Sequence, residues 1–197
     1  MASSEGFQTR LPDHLGPAEL EAGLQEIRRS PQDSGVLSLI VRRPQSGERE
    51  LLDAGHLDLT HGLLGDNWKT RGSPSTPDGQ AHPERQITIM NSRVIALLAR
   101  RKDRWALAGD QLYIDLDLSG DNLPIGSRLA IGDAVIEIAA PPHTGCKKFE
   151  ARFGTDALKF ISSPEGKQRK MRGINARVVQ PGLIRVGDVA RKIPATA

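Results

Sequence analysis

The sequence predicts a mainly β fold, a barrel or sandwich of short strands with helices packed around it. Three observations lead there. Strand-like segments recur at short intervals from residue 111 onward, and the compact turn pairs Gly132-Asp133, Pro181-Gly182 and Gly187-Asp188 separate them. No long helical segments alternate with those strands, which argues against a doubly wound parallel sheet. Aromatic residues make up only 4% of the chain, so the core must rest on Leu, Ile, Val and Ala.

The elements follow in order. Residues 1–14 are polar and are expected to be loose, after which Leu15, Ala18, Ala22, Leu24 and Ile27 line one face of a short helix ending near Ser30-Pro31. Val36–Val41, bounded by Gly35 and Pro44, reads as a strand, and Glu50–Leu59 as a second. His61–Trp68 is a glycine-rich turn. Arg71–Arg85 is rich in Pro, Gly, Ser and Thr and reads as a long loop, of the kind that is usually functional or disordered.

Gln86–Met90 is a strand, and Asn91 is a good N-cap for a helix carrying Val94, Ile95, Leu97 and Leu98. Strands follow at Gln111–Asp117, Arg128–Ile131, Ala134–Ala140, Ile174–Gln180 and Leu183–Val186. Helix-compatible stretches at Ala151–Ile161 and Pro164–Lys170 lie between the two strand groups. This organisation predicts an N-terminal extension with a short helix at 1–34, packed on or beside a barrel domain at 35–193, and a tail at 194–197.

Basic residues number 27 and acidic residues 24, a net charge of +3, so the surface is nearly balanced. With so few aromatics, nothing points to a nucleic-acid partner. A single cysteine excludes an internal disulfide and favours a reducing compartment. The N-terminus lacks a basic region followed by an apolar run, and no segment approaches the roughly 18 apolar residues of a membrane span. The expectation is a soluble, cytoplasmic protein with no membrane partner.

That cysteine, Cys146, sits in Pro141-Pro142-His143-Thr144-Gly145-Cys146-Lys147-Lys148-Phe149. A thiolate is a soft ligand for a redox-active metal, and nearby cations favour the thiolate. Taken alone, a lone cysteine is more often a small buried hydrophobe than a metal ligand.

The surrounding motifs add a pattern. Gly62-Leu63-Leu64-Gly65-Asp66 comes first, then Gly126 and Gly132 through Ile138, then the cysteine segment, then Arg172-Gly173-Ile174-Asn175-Ala176-Arg177-Val178, then Gly187-Asp188-Val189. In this order they resemble the MOSC domain family, over roughly residues 35–193. The resemblance implies a β-barrel with peripheral helices that binds the molybdenum cofactor, a pterin dithiolene bearing a phosphate. Characterised relatives reduce N-hydroxylated compounds such as hydroxylaminopurines and amidoximes.

Cys146 matches the family cysteine and is the expected metal ligand and catalytic thiolate. His143 is the expected proton donor or hydrogen-bonding group beside it. Gly145 is expected to let the backbone approach the cofactor. Lys147, Arg172 and Arg177 are expected to bind its phosphate and pterin, with Arg172 foremost, and Lys148 and Arg152 flank the same loop. His61, Asp66, Asn67, Arg85, Asn91 and Arg93 are candidates for a further wall. The second cysteine of some family members is absent, and the Arg71–Arg85 loop, outside the shared pattern, is a candidate rim or lid.

The implied function is reduction of a small-molecule substrate, with electrons from a separate reductase protein, since no iron–sulfur cysteine cluster or dinucleotide fingerprint occurs. The alternative is a non-enzymatic carrier of the cofactor or of sulfur on Cys146. A third possibility is a thiol hydrolase pairing Cys146 with His143.

Overall fold

The computed structural model describes residues 14–194. The expectation of a loose N-terminus and most of the predicted tail therefore fall outside the described residues. The first half of the chain forms α1 (Pro17–Arg28), β1 (Ser34–Arg42), β2 (Glu50–Leu52), β3 (Ala54–Asp58), β4 (Gly62–Leu63), α2 (Trp68–Arg71), β5 (Ile87–Asn91) and α3 (Ser92–Ala99). Then come β6 (Leu112–Ile114), β7 (Arg128–Ile131), β8 (Ala134–Ile138), α4 (Lys147–Phe153), α5 (Thr155–Ser162), α6 (Pro164–Gln168), β9 (Ile174–Gln180), β10 (Gly182–Arg185) and β11 (Val189–Ile193). Short 3-10 helices occupy Pro83–Arg85 and Lys102–Ala108.

Seven strands close a barrel in the order β1, β11, β7, β8, β9, β5, β6, and β6 returns to β1. All of these pairings are antiparallel except β5 with β6. The closing strand, β11, was not predicted. Its exposed Arg191 and half-buried Lys192 mask the alternation that buries Ala190. The predicted strand at 50–59 is two strands. β2 pairs with β1, whereas β3 leaves for a small second sheet with β10 and β4.

Alternation along the strands divides the core into two layers. Inside the barrel lie Leu37, Ile40, Ile87, Ile89, Leu129, Ile136 and Ala176, among others. A second layer, including Leu39, Val41, Met90 and Tyr113, faces the helices. β1 serves both because a register shift between Leu37 and Leu39 turns the strand.

α1 starts with Pro17 at its first turn, and Glu19 Oε2 accepts from Gly16 N at 2.9 Å. It buries Leu20, Leu24 and Ile27 against α3 and α5, while Ala18 and Ala22 of the predicted face are exposed. Three large aliphatics at i, i+4 and i+7 define the stripe better than the alanines do. Asn91 caps α3 as predicted, its Oδ1 accepting from Arg93 N and Val94 N at 2.7 and 3.2 Å. No helix among the described residues is long and apolar enough to cross a membrane.

Candidate functional site

After β8 the chain runs as an irregular loop, residues 139–146, into α4. Two bonds to one residue of β9 hold it on the barrel rim. Ala139 N donates to Asn175 O and Asn175 Nδ2 to Pro141 O, both at 2.9 Å. Phe149 and Phe153 bury one face of α4 and leave Cys146, at its N-cap, exposed. The reading of Cys146 as a small core residue is thereby excluded.

Cys146 opens on a cavity of about 510 Å³ between this loop, α4, α2 and the β1–β2 connection. Two buried ion pairs form its base. Arg43 donates from Nε and Nη2 to Asp66 at 2.8 Å each, and from Nη1 to Gly109 O at 2.9 Å. Arg172, just before β9, donates from Nη1 to Asp110 Oδ2 at 2.8 Å and from Nη2 to Ala108 O at 3.1 Å. Its guanidinium lies 5.1 Å from the Phe149 ring centroid. Asp110 is completely buried, and burial pushes its carboxyl above the ordinary range against the pull of Arg172.

His143 lines the cavity, with Nδ1 3.3 Å from Asp110 Oδ1. Burial, reinforced by the charges of Arg172, Arg43 and Arg85, holds its imidazole well below the ordinary range, so it is neutral at neutral pH.

Five further cations line the cavity: Arg49, Arg71, Arg85, Lys148 and Arg152. None of the five has a carboxylate partner among the described residues. Arg49 Nε donates to Ala106 O at 3.2 Å and Arg152 Nη1 to Leu107 O at 2.6 Å, so successive carbonyls of the second 3-10 helix anchor them. Arg85 Nε is buried without a partner. The arrangement is a concave, cation-lined cavity with a thiol at its edge.

The structure thus brings together Cys146, His143 and Arg172 of the sequence-predicted set, with Lys148, Arg152, Asn67 and Arg85 beside them. Three predicted residues stand elsewhere. Arg177 lies on the outer face of β9, directly across from Glu137 of β8, and donates to Glu137 Oε1 at 2.6 Å from Nη2. Cross-strand register assigns it to that surface pair, which Arg128 completes from β7. Lys147 is exposed and outside the cavity lining, where its neighbour Lys148 is found. Gly145 faces α5. A Cβ there would stand 2.4 Å from Leu158 Cδ1, so its lack of a side chain serves helix packing.

Among the wall candidates, Asp66 anchors Arg43 and Asn91 caps α3. His61 pairs with Asp58 at the surface, and Arg93 with Asp115 and Glu26. The ends of the long loop, Arg71 and Arg85, line the cavity, while residues 72–84 do not. Sequence reasoning missed Arg43, Arg49, Arg71 and Asp110. The only trace of them was the pair of arginines bracketing that loop.

The fold is similar to that of YuaD from Bacillus subtilis, with a TM-score of 0.61 and 14% identity over 83% of this chain and 97% of that one. It is also similar to YiiM from Geobacillus stearothermophilus, with a TM-score of 0.54 and 18% identity over 82% of this chain and 75% of that one. For YiiM from Escherichia coli the TM-score is 0.52, with 18% identity over 82% and 71% of the two chains. At such identities the likeness concerns the fold alone. No curated protein matches the sequence. The MOSC domain family does, over residues 76–191, a span that contains the cysteine loop, α4, Asp110 and Arg172. With more than half of its length matched and a closed barrel carrying the cysteine at its rim, the chain belongs to the MOSC domain family.

Proposed function

We propose that this MOSC protein binds the molybdenum cofactor in the arginine-lined cavity, with Cys146 as metal ligand, and reduces N-hydroxylated compounds. The observation that carries the reading is the exposed thiol sharing one cavity with five cations that have no carboxylate partner. The residues fit the group. A cavity of about 510 Å³ falls in the usual range for cofactor pockets, roughly 300–1,000 Å³. The phosphate requires charged N–H donors not already engaged by carboxylates, and Arg49, Arg71, Arg85 and Arg152 meet that requirement. A soft metal requires a soft donor, which Cys146 offers. No cluster of three or more His, Cys, Asp or Glu suited to a metal occurs among the described residues, so the thiolate would be the protein's share of the ligand set.

Bound there, the cofactor would supply a redox-active metal able to deliver an electron pair to an N–O bond. The chain's own residues do the rest. Arg172 and Arg43 stay fixed by their aspartates and give the cavity base a set geometry. Reduction of an N–OH group by an electron pair consumes two protons and releases the oxygen as water, and His143, neutral and lining the cavity, is placed to relay those protons from solvent. Electrons come from a separate protein, because the chain has one cysteine and no dinucleotide fingerprint.

The test is molybdenum content and turnover, with an artificial electron donor, for wild type and Cys146→Ser purified from a cofactor-producing host. Serine substitutes a harder oxygen for sulfur at similar size. Matched loading with activity lost in the serine variant is the expected result, and a loaded, active variant refutes the thiolate role. The exposure of Cys146 also suits the second reading, a carrier that passes the cofactor or a persulfide to another protein. Loading of both proteins with turnover in neither, over purine hydroxylamines and amidoximes, selects that reading.

A further inference from the structure

We infer that the cavity holds two oxyanionic groups at once, one the cofactor's phosphate and the other a phosphate or carboxylate carried by the substrate. The inference rests on the cofactor-binding reading above and narrows the substrate to an anionic N-hydroxylated compound, such as a nucleotide in place of a free base.

Charge balance is the first observation. Asp66 and Asp110 answer Arg43 and Arg172, which leaves Arg49, Arg71, Arg85, Lys148 and Arg152 without acidic partners. A phosphate monoester brings about −1.5 to −2 charges at neutral pH. About three of the five cations then remain unanswered, an excess of positive charge on one cavity wall that a second anion would offset.

Placement is the second. The five cations fall into two groups held by different elements. Arg49, from the β1–β2 connection, and Arg152, from α4, hang side by side on Ala106 O and Leu107 O. Lys148 precedes Arg152 by one helical turn and lines the same cavity. Burial and then the like charge of Arg152 weaken proton retention by Arg49, consistent with the neighbouring carbonyl anchors of the two side chains. The other group is Arg71, at the end of α2, with Arg85 from the 3-10 turn at Pro83–Arg85. Arg85 keeps a buried Nε without a partner and acts electrostatically on His143. Each group contains two planar guanidinium forks, the side-chain type that suits a tetrahedral or carboxylate oxyanion.

Calorimetric titration of the full chain with inorganic phosphate tests this directly. Protein from a host unable to make the cofactor is expected to bind two phosphates, and cofactor-loaded protein one. A single phosphate on the cofactor-free chain, or none on the loaded one, overturns the inference. Arg49→Gln with Arg152→Gln should weaken one of the two events at least tenfold, and Arg71→Gln with Arg85→Gln the other. Loss of both events in either folded variant shows one shared site and also overturns it. Phosphorus per molybdenum in the loaded protein separates the sources of the second group. One phosphorus assigns it to the substrate, and two or more assign it to a nucleotide-conjugated cofactor, against the inference. If no molybdenum binds at all, the proposed function fails, and the phosphate count on the cofactor-free chain still decides whether two anion sites exist.

Discussion

Asp110 Oδ1 and His143 Nδ1 lie 3.3 Å apart, both buried, and neither makes an aligned hydrogen bond to any described group, the other included. Asp110 spends its second oxygen on Arg172, so one carboxylate orients the two cavity residues that come from opposite sides of α4 in sequence.

This burial has a pH signature. The unfolded imidazole takes up a proton near 6.5, whereas the folded one resists until well below that value. The unfolded state therefore binds more protons just below 6.5, and stability falls as pH drops through it. Asp110 acts with the opposite sign, since its raised value contributes stability that is lost as pH rises above 3.8. Urea midpoints from about pH 8 to about pH 5 should decline for wild type and decline less steeply for His143→Gln.

Asp110→Asn leaves the Arg172 charge buried without its counter-ion. Removing one partner of a buried pair costs about 3–5 kcal/mol, and denaturant unfolding should show a loss of that order. Adding Arg172→Met should restore part of it, because neither charge is then stranded. Strictly additive losses in the double variant would refute the coupling.

Gly173 adopts φ 107°, and a Cβ there would stand 2.3 Å from Ile89 O and 3.2 Å from His143 Nδ1. Gly173→Ala should destabilise the fold by about 2 kcal/mol or more, combining strain with a backbone clash. The His143 ring resonances should shift in the same variant. Unchanged His143 resonances would place the ring farther from the glycine than the structure does.

Cys146 is the chain's single cysteine and is exposed, so one equivalent of a thiol reagent should modify the folded protein. Its side chain makes no capping bond to α4, and Cys146→Ala should change the unfolding free energy by less than about 0.5 kcal/mol. Labelling that requires denaturant would contradict the exposure.

Glu165 ties α1 to α6, accepting from Arg28 Nε at 2.9 Å and from Arg169 Nε at 2.8 Å. These bonds hold its carboxyl down from 4.5 to about 2, so the stability they contribute is present above 4.5 and is lost as pH falls from there to about 2. The pair is partly solvated, and Glu165→Gln should cost about 0.2–1 kcal/mol, measured near neutral pH.

Local chemistry made much of the fold legible. Gly132-Asp133 and Pro181-Gly182 mark the turns that join β7 to β8 and β9 to β10, and Asn91 announces α3, because turn and cap preferences act over a few residues. The cysteine loop was equally legible, since its motifs lie in one contiguous stretch. β11 was not, because a strand that closes a barrel needs only Ala190 facing inward, and its exposed charges read as surface.

The sequence by itself determined most of the barrel strands, though not β11, and showed where Cys146 lies between β8 and α4 and that Arg172 opens the strand beside it. Tertiary structure decided which cations surround that thiol. Barrel closure carries Arg43, Arg49 and Arg71, more than 70 residues before Cys146, to the same cavity as Arg152 and Arg172. Register decided against Arg177, because its place opposite Glu137 commits it to the outer face, and burial decided for Asp110, whose carboxylate only the closed core can set between Arg172 and His143. Such choices depend on contacts between residues far apart in the chain, which local patterns of side-chain type do not encode.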